Sequence, residues 1–475
     1  MQEGKNYLYL QLADELENTI QEGHLPAGEK LPSLRQLHHR SGKSITTVYQ
    51  AYMELERRGL VTPHARSGFV VNPGHGGFHL PSMRKRSSPP VRVSRSAMLD
   101  RIVSSISDPS ILHLGGAYTS MDLMPGKHLG RIVRKLISKE LEGLVCYENT
   151  QGSPELRRNL AKWLLGRVGV ISSEDLIITN GGTEGISICL RAMTSRGDAV
   201  LIESPVYPGV LQIMEEQGLY AVEVPTHPEK GIDLEKARRV MDRTDIKAAF
   251  LTPTVHNPMG YIMSEEAKKA FLGLLYQKNI PLIEDDTYGE LAFGETRPRA
   301  VKYFDTLGRV LYLSSFSKTV GGGLRVGYVI PGIYMDQVMK AKLSSSLTSA
   351  TITQRVMGEF LSRGALDRHL RDLRNACRRN LDMSLRAIRK YFPPQIRVSS
   401  PSGGFLLWIE MPEKADSMEL FNKAWGQGIS IFPGTAFSVT GLYRNCFRLN
   451  CGNTWSPGVE EGFQKLGKLV SEISG

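Results

Sequence analysis

The feature that most constrains the fold is a series of short apolar runs in the middle of the chain. The runs at 176–180, 248–251 and 282–285 are each followed at once by a polar or glycine-rich turn. Nearly continuous apolar runs of this length are typical of strands buried in a parallel sheet. Because parallel strands end at one edge of the sheet, the side chains that follow them meet there. The sequence therefore predicts an α/β body with a site at the strand ends.

Polar side chains stand at these predicted strand ends. Asp285 closes the run 282–285, and Tyr288 follows three positions later. After 176–180, the glycine-rich segment 181–185 opens a helix, where backbone N–H groups can approach a phosphate. Two further turns supply an aromatic face and an amide, Tyr207 and Asn257. Taken singly, these motifs are also ordinary turns or chance spacings, and only their order favours one shared site.

The segment Ser-Ser-Phe-Ser-Lys at 314–318, with Arg325 seven residues further on, indicates the chemistry of that site. Pyridoxal 5'-phosphate needs an amine that condenses with its aldehyde, and cations and hydroxyls that hold its phosphate. Lys318 supplies the amine. An aspartate such as Asp285 can pair with the pyridinium nitrogen and keep it protonated. A polar loop before a buried strand is the purely structural alternative.

Residues from about 110 to 475 resemble a fold-type I aminotransferase, on the ordered motifs above. The resemblance implies that Lys318 forms the Schiff base and that Asp285 is the partner of the pyridine nitrogen. It also implies that Tyr288 and Asn257 bond the phenolic oxygen and that Tyr207 stacks on the ring. The phosphate contacts that it implies are Gly182, Thr183, Ser315, Ser317 and Arg325.

Two further positions gain a role from the same resemblance. Arg448, in Phe-Arg-Leu at 447–449, resembles the arginine that binds a substrate α-carboxylate, and a guanidinium fork suits that group. From the residues alone, Arg448 is equally a structural ion-pair partner. Tyr147 with Gly152 resembles the segment that closes the site across a dimer interface, so a homodimer is expected.

The front of the chain has a different pattern. Leu8, Leu12, Leu16 and Ile20 recur every four residues, which predicts an amphipathic helix. Ser33 and Ser44 are candidate N-caps of two more helices, the second running to about 58. Short strands are predicted at 59–61 and 68–71. Three helices followed by a two-stranded hairpin predict a winged helix-turn-helix.

Charge favours a DNA-binding role for this module. Acidic residues dominate 1–29, whereas basic residues dominate 30–66, where the turn, the third helix and the wing are predicted. A basic face on a small module is typical of phosphate-backbone binding. The net charge of the whole chain, +11, also suits a polyanionic partner.

The segments Leu-Pro-Ser-Leu-Arg-Gln-Leu at 31–37 and Thr-Thr-Val-Tyr-Gln-Ala-Tyr at 46–52 resemble the DNA-binding domain of the GntR family. The resemblance assigns Arg35 to a phosphate contact and the turn from Arg66 to Gly68 to the wing. The groove-facing residues that it implies are Ser44, Thr46, Thr47 and Tyr49. Ile45 departs from the pattern, since the family most often places an arginine there.

A GntR-type reader joined to an aminotransferase-like body resembles the MocR subfamily of bacterial transcriptional regulators. The predicted domains are a winged helix-turn-helix at 1–72, a linker at 73–95 and a body at 96–475. The body is expected to carry a smaller C-terminal α+β domain from about 335. The linker contains a basic cluster at 84–86, which is expected to be solvated.

The five cysteines have no metal-ligand spacing, so no metal site is predicted. Without a signal peptide or a long apolar stretch, the expected location is the cytoplasm, with free thiols and no membrane contact.

These patterns predict a cytoplasmic regulator that binds double-stranded promoter DNA and senses an amino compound, or the cofactor itself, through an aldimine at Lys318. The alternative is an active aminotransferase with an accessory DNA-binding head. A sensor of the cofactor level alone would need the aldimine and no amine effector.

Overall fold

The computed structural model describes residues 8–21, 24–25, 29–57, 60–64, 68–71, 78–84, 86–93, 108, 110–362 and 364–475. The chain divides into two compact units, one of residues 1–79 with 382–390 and one of residues 80–381 with 391–475. We call residues 8–71 the head, and residues 80–381 with 391–475 the body.

The head consists of three helices and a hairpin, as the sequence predicted. The helices are α1 (Leu8–Gln21), α2 (Leu34–Ser41) and α3 (Ile45–Arg57), and the antiparallel strands are β1 (Val61–His64) and β2 (Gly68–Val71). The first strand was predicted too early, at 59–61. It begins at Val61 because the Leu60 N–H still donates to the carbonyl of Leu55 at the end of α3.

The core of the head is formed by the helix faces on which apolar residues recur at helical spacing in the sequence. Val48, Ala51 and Leu55 of α3 are completely buried, and they pack in one cluster with apolar side chains of α1. Both predicted caps are present. The Ser33 hydroxyl accepts from the N–H of Gln36, and the Ser44 hydroxyl accepts from the N–H of Thr47 at 3.1 Å.

The body is organised around a nine-stranded, mostly parallel sheet. Its strands are β3 Val91–Arg92, β5 Ile177–Thr179, β6 Ala199–Ser204, β7 Tyr220–His227, β8 Gly231–Ile232, β9 Ile246–Leu251, β10 Leu282–Asp285, β11 Val310–Ser315 and β12 Gly327–Ile330. The strand order is β3-β7-β6-β9-β10-β11-β12-β5, with β8 paired to β7. The neighbours β7, β6, β9, β10 and β11 run parallel, and β12 is antiparallel to both of its neighbours.

Helices cover this sheet and bury two separate cores. Because side chains alternate along a strand, Leu311 and Leu313 of β11 enter one core and Tyr312 enters the other. The helices before and between the strands are α4 Gly126–Leu144, α5 Pro154–Leu164, α6 Gly182–Met193, α7 Pro208–Gln217, α8 Leu234–Arg243 and α9 Glu265–Lys278. Those that follow are α10 Met335–Ser345, α11 Thr351–Ser362 and α12 Ala365–Tyr391.

A second, antiparallel sheet has the strand order β13-β14-β17-β16. Its strands are β13 Arg397–Val398, β14 Leu406–Glu410, β16 Phe432–Pro433 and β17 Cys446–Asn450, and the helices α13 Ser417–Trp425 and α14 Pro457–Ser474 accompany them. Separately, β15 (Ile429–Ser430) pairs with β4 (Leu112–His113). The sequence places the smaller domain from about 335. In the structure, Val338 and Phe360 still belong to the cores of the large sheet, and the second sheet begins at Arg397.

The second half of the predicted linker is part of the body. β3 pairs with β7 at the edge of the large sheet, and the Ser82 N–H donates to Glu410 at 2.6 Å. Arg84, expected to be solvated, instead donates to Asn445 at 3.2 Å and lies 5.2 Å from the centre of the Tyr443 ring. We call residues 80–93 the strap. Its Ser- and Pro-rich sequence carries no hydrophobic periodicity, which is why the sequence did not indicate a packed segment.

Within the parts of the chain that the structure describes, no helix has both the length and the apolar character needed to cross a bilayer.

Candidate functional site

A cleft with an empty volume of about 570 Å³ lies at the strand ends of the large sheet. Every residue predicted to bind the cofactor lines it, namely Gly182, Thr183, Tyr207, Asn257, Asp285, Tyr288, Ser315, Ser317, Lys318 and Arg325. Ile186, Thr252 and Thr287 line it as well and were not predicted. Thr252 directly follows β9 and Thr287 directly follows Asp286, so the strand-end signal used for the others also applied to them.

Lys318 brings an amine into the cleft. Its Nζ donates to the carbonyl of Ala117 at 2.6 Å. Burial, together with the charges of Arg448 and Arg325, lowers the pKa of Lys318 to about 8, and the charge of Asp285 opposes this shift. An amine with this pKa is partly neutral near pH 7, which is what a nucleophilic lysine requires.

Asp285 is the last residue of β10, and its carboxylate is buried in the cleft. One oxygen accepts the N–H of Thr287 at 3.0 Å. Burial raises the pKa of Asp285, while the bonds from Thr287 and the nearby Lys318 partly offset that rise. A buried carboxylate in this state is stabilised by a cationic or N–H partner, such as a protonated ring nitrogen.

The N-terminus of α6 forms an anion site at one end of the cleft. Gly181 has φ +86°, and a Cβ there would lie 2.4 Å from a guanidinium nitrogen of Arg325. Arg325 donates to the carbonyl of Asn180 at 3.0 Å and to the hydroxyl of Ser317 at 3.3 Å. Free N–H groups of a helix start, a guanidinium and hydroxyls together suit a phosphate.

The hydroxyl of Tyr288 is buried and, among the described residues, has no hydrogen-bond partner. Its ring lies 5.6 Å from that of Phe405, and the Lys318 Nζ lies 5.9 Å from its centre. Burial raises the pKa of Tyr288, so the hydroxyl keeps its proton. A buried hydroxyl of this kind is normally satisfied, which indicates that a bound molecule supplies the partner.

Arg448 on β17 is the second buried cation of the site, 2% exposed. Its guanidinium donates to Asn257 at 3.0 Å and to the carbonyl of Gly115 at 2.6 Å, and it lies 4.6 Å from the ring centre of Phe432. Burial lowers the pKa of Arg448 to about 10. Among the described residues no carboxylate forms an ion pair with it, and its Nε has no partner. Such a charge is stabilised by an anionic ligand.

Tyr147 does not line the cleft of its own chain. It follows α4 and is 87% exposed, next to Val145, which is 81% exposed. Gly152 has φ +102°, and a Cβ there would lie 2.3 Å from the side chain of Ile178. The glycine is therefore required by the close approach of this loop to β5.

In the head, five of the residues predicted to contact DNA are exposed, as that role requires. They are Arg35, Ser44, Thr46, Tyr49 and Gly68. Thr47 is only half-buried, and its hydroxyl lies 2.8 Å from that of Ser44, so it shares in the cap of α3. The predicted wing residue Arg66 lies outside the described residues.

Comparisons with known proteins match both parts of the chain. The family "Bacterial regulatory proteins, gntR family" matches residues 8–71, and "Aminotransferase class I and II" matches residues 122–466. The HTH-type transcriptional regulator YjiR of Escherichia coli (strain K12) is 37% identical over 462 residues, which cover 97% of this chain and 98% of YjiR. The HTH-type transcriptional regulator YdcR of the same organism is 32% identical over 471 residues, 98% of this chain and 99% of YdcR.

Solved structures match the body. LysN, the α-aminoadipate aminotransferase of Thermus thermophilus, complexed with N-(5'-phosphopyridoxyl)-L-leucine, has a TM-score of 0.74 and 26% identity, covering 80% of this chain and 95% of LysN. The kynurenine aminotransferase of Pyrococcus horikoshii, in complex with PMP, has a TM-score of 0.73 and 27% identity, covering 80% of this chain and 95% of that enzyme.

The lowered pKa of Lys318 predicts an unusual pH dependence of its reactivity. The neutral fraction of the amine rises with pH, so acylation of Lys318 should be half-maximal near pH 8. Exposed lysines should need a pH of about 10.4. Peptide mapping by mass spectrometry after brief acylation across a pH series measures both midpoints in one sample.

The variant Arg448→Gln is the control for the cause of this shift. It removes one of the charges that lower the pKa, so the Lys318 midpoint should move upward while the exposed lysines stay unchanged. A wild-type midpoint above pH 10 would contradict the prediction.

Proposed function

The chain belongs to the HTH-type transcriptional regulators that join a gntR-family head to a class I and II aminotransferase body, and on that premise we propose that the head reads promoter DNA while the body senses an amino compound. This organisation is that of the MocR subfamily. The observation that carries the proposal is the cleft itself, where Lys318 and the anion site of Arg325 lie together and where the lining residue Asn257 accepts a hydrogen bond from Arg448.

The cleft fits pyridoxal 5'-phosphate at each of its chemical groups. The α6 N-terminus, Arg325 and the neighbouring serine hydroxyls would hold the phosphate, and Asp285 would face the ring nitrogen. The unpartnered hydroxyl of Tyr288 and the amide of Asn257 would serve the phenolic oxygen, with Tyr207 against the ring. When bound, the cofactor supplies an aldehyde that condenses reversibly with an amine, and Lys318 offers that amine.

The proposed effector is an amino compound that carries a carboxylate. Arg448 holds a buried positive charge without an acidic partner among the described residues, and Asn257 connects it to the cofactor-binding side of the cleft. An amino acid would place its carboxylate at Arg448 and its amine near Lys318. The coupling between effector and DNA binding is expected to be about 1–3 kcal/mol.

The head is proposed to bind the double-stranded DNA of a promoter. Arg35 and Arg40 of α2 are exposed and can neutralise phosphates, and Thr46 and Tyr49 are exposed on α3. A bacterial promoter reader of this type works in the cytoplasm, where its free cysteines stay reduced.

We also propose that the body forms a homodimer. Apolar side chains are exposed on and just after α4, and a further one stands before it. They are Met121, Ile137, Leu141, Val145 and Tyr147. Exposed apolar side chains that are concentrated on one helix and its flanking segments are typical of a protein–protein interface.

The dimer proposal predicts opposite results for two variants that each replace an exposed valine by glutamate. Val145→Glu should shift the protein toward a monomer, because it places a charge among the apolar side chains of the interface. Val170→Glu, at a valine that is 90% exposed elsewhere, should leave the dimer intact. Sedimentation velocity measures both. A wild-type monomer at micromolar concentration with full cofactor occupancy would contradict the proposal.

Cofactor binding predicts a visible absorption band in the purified protein after addition of pyridoxal 5'-phosphate. Lys318→Ala should abolish the band, whereas Lys340→Ala, at an exposed lysine, should keep it. Asp285→Ala should weaken cofactor binding roughly ten- to a hundredfold, since a hydrogen bond to a charged group is lost. Asp336→Ala, at an exposed aspartate, is its control. A colourless wild-type protein would refute the cofactor assignment.

An active aminotransferase is the second candidate function. It is favoured by the complete set of Lys318, Asp285, Tyr288 and Arg448 around one cleft, and by the similarity of the body to two aminotransferases. In that case the head would only localise the enzyme.

Lys318→Ala distinguishes the two functions. In a regulator, the variant should keep its DNA affinity and lose the change in affinity that amino acids produce, because only the sensor is damaged. In an enzyme with a passive head, it should lose transamination and leave promoter output unchanged. Gel-shift titrations with a panel of amino acids, and with cofactor alone, measure the first effect. A shift caused by cofactor alone would identify a sensor of the cofactor level.

A further inference from the structure

The outward face of α3 is unusually apolar for a helix that enters DNA. Ile45, Tyr49 and Met53 are 47%, 48% and 39% exposed, although apolar side chains of this size are normally buried. They stand four residues apart, so they form one stripe along the helix. The packing face of α3 is separate, since Val48, Ala51 and Leu55 are completely buried.

From Ile45 to Glu56, the sequence of α3 supplies no cation to this face. Residues 45–56 contain neither lysine nor arginine, and the polar groups exposed beside the stripe are Thr46 and Gln50. Cations stand before this stretch, on Arg35 and Arg40 of α2 and on Lys43, and Arg57 closes α3 at its opposite end. Charge for the phosphates and contacts for the bases are therefore supplied by different elements of the head.

This division restricts the bases that α3 can read. In the major groove, guanine is read chiefly by the fork of an arginine or by a lysine, and α3 has neither there. Thymine presents a 5-methyl group, which apolar side chains contact. Adenine pairs with a glutamine amide through two hydrogen bonds, because its N7 accepts from the amide N–H and its N6 amino group donates to the amide oxygen. The first residues of a recognition helix approach the base edges most closely, and Ile45 is the first residue of α3.

We propose that α3 recognises A·T base pairs in its operator, and not guanine. Ile45 makes this contact with the 5-methyl groups of the thymines. This inference rests on the proposed function of the head as a reader of duplex DNA. In this proposal Ile45 determines the specificity, and Gln50 forms hydrogen bonds with a neighbouring adenine.

The test begins with the full-length protein and a library of randomised DNA duplexes. Repeated selection and sequencing should give half-sites in which the positions facing α3 are A·T pairs. In the selected duplex, each thymine is then replaced in turn by uracil, which removes only the methyl group. We expect one or two replacements to weaken binding about fourfold each, the effect of exposing one methyl group.

The variant Ile45→Ala connects this effect to the residue. It should bind the thymine duplex more weakly and lose its sensitivity to uracil at those same positions. Because Ile45 is exposed, the truncation leaves the core of the head unchanged. Leu8→Ala is the matched control: it removes an equally exposed apolar side chain from α1 and should keep the full uracil effect. Ile45→Arg should shift the selected base toward guanine.

The outcomes separate this inference from the function on which it rests. Failure of the wild-type protein to bind any duplex would overturn both. Selective binding to a half-site with an invariant guanine opposite α3, or with no loss on uracil replacement, would overturn only the thymine assignment. A uracil effect that persists undiminished in Ile45→Ala would overturn the role of Ile45.

Discussion

A buried guanidinium without a carboxylate partner among the described residues organises the body. Arg448 draws together three separate parts of the chain, because it donates to Gly115 and Asn257 and packs on the ring of Phe432. Neutral acceptors satisfy its N–H groups only in part, and they leave its charge uncompensated. A carboxylate partner would have compensated the charge of Arg448, but it would also have cancelled the charge that the proposed anionic effector needs. The fold therefore keeps a cation that is most stable when a ligand is bound.

The loop that precedes Arg448 connects this cation to the strap. The carboxylate of Glu223, on β7, accepts from the N–H of Val439 at 2.7 Å and from the hydroxyl of Ser438 at 2.9 Å. The backbone of Glu223 bonds Ser88 of the strap, and Arg84 of the strap contacts Tyr443 of the same loop. Burial raises the pKa of Glu223, and these donors oppose that rise. The loop between β16 and β17, which leads to Arg448, is thus held by Glu223 of β7 and by Arg84 of the strap.

Much of this arrangement was predictable because it depends on local chemistry. A strand that ends in Asp285, a helix that starts at Gly182 and a lysine flanked by serines each leave a pattern within a few residues, and the structure brings them into one cleft. The capping serines of the head are equally local. The strap was not predictable, since partners such as Glu223 and Glu410 lie far away in sequence. The sequence also left Arg448 undecided between an ion pair and a ligand contact, because the choice of partner is a property of three-dimensional packing.

Two charged groups proposed to bind ligands are buried in the body, whereas the arginines of α2 proposed to bind DNA are exposed in the head. In the body, a small ligand must compete with water, so Arg448 and Asp285 are buried, where each charge acts strongly on a matching group. In the head, the expected partner is itself highly charged, and the arginines proposed to meet its phosphates are exposed on α2. Long-range attraction of that kind cannot distinguish one base pair from another. Discrimination is left to short-range contacts, which we propose α3 makes through its exposed apolar side chains, the hydroxyl of Thr46 and the amide of Gln50.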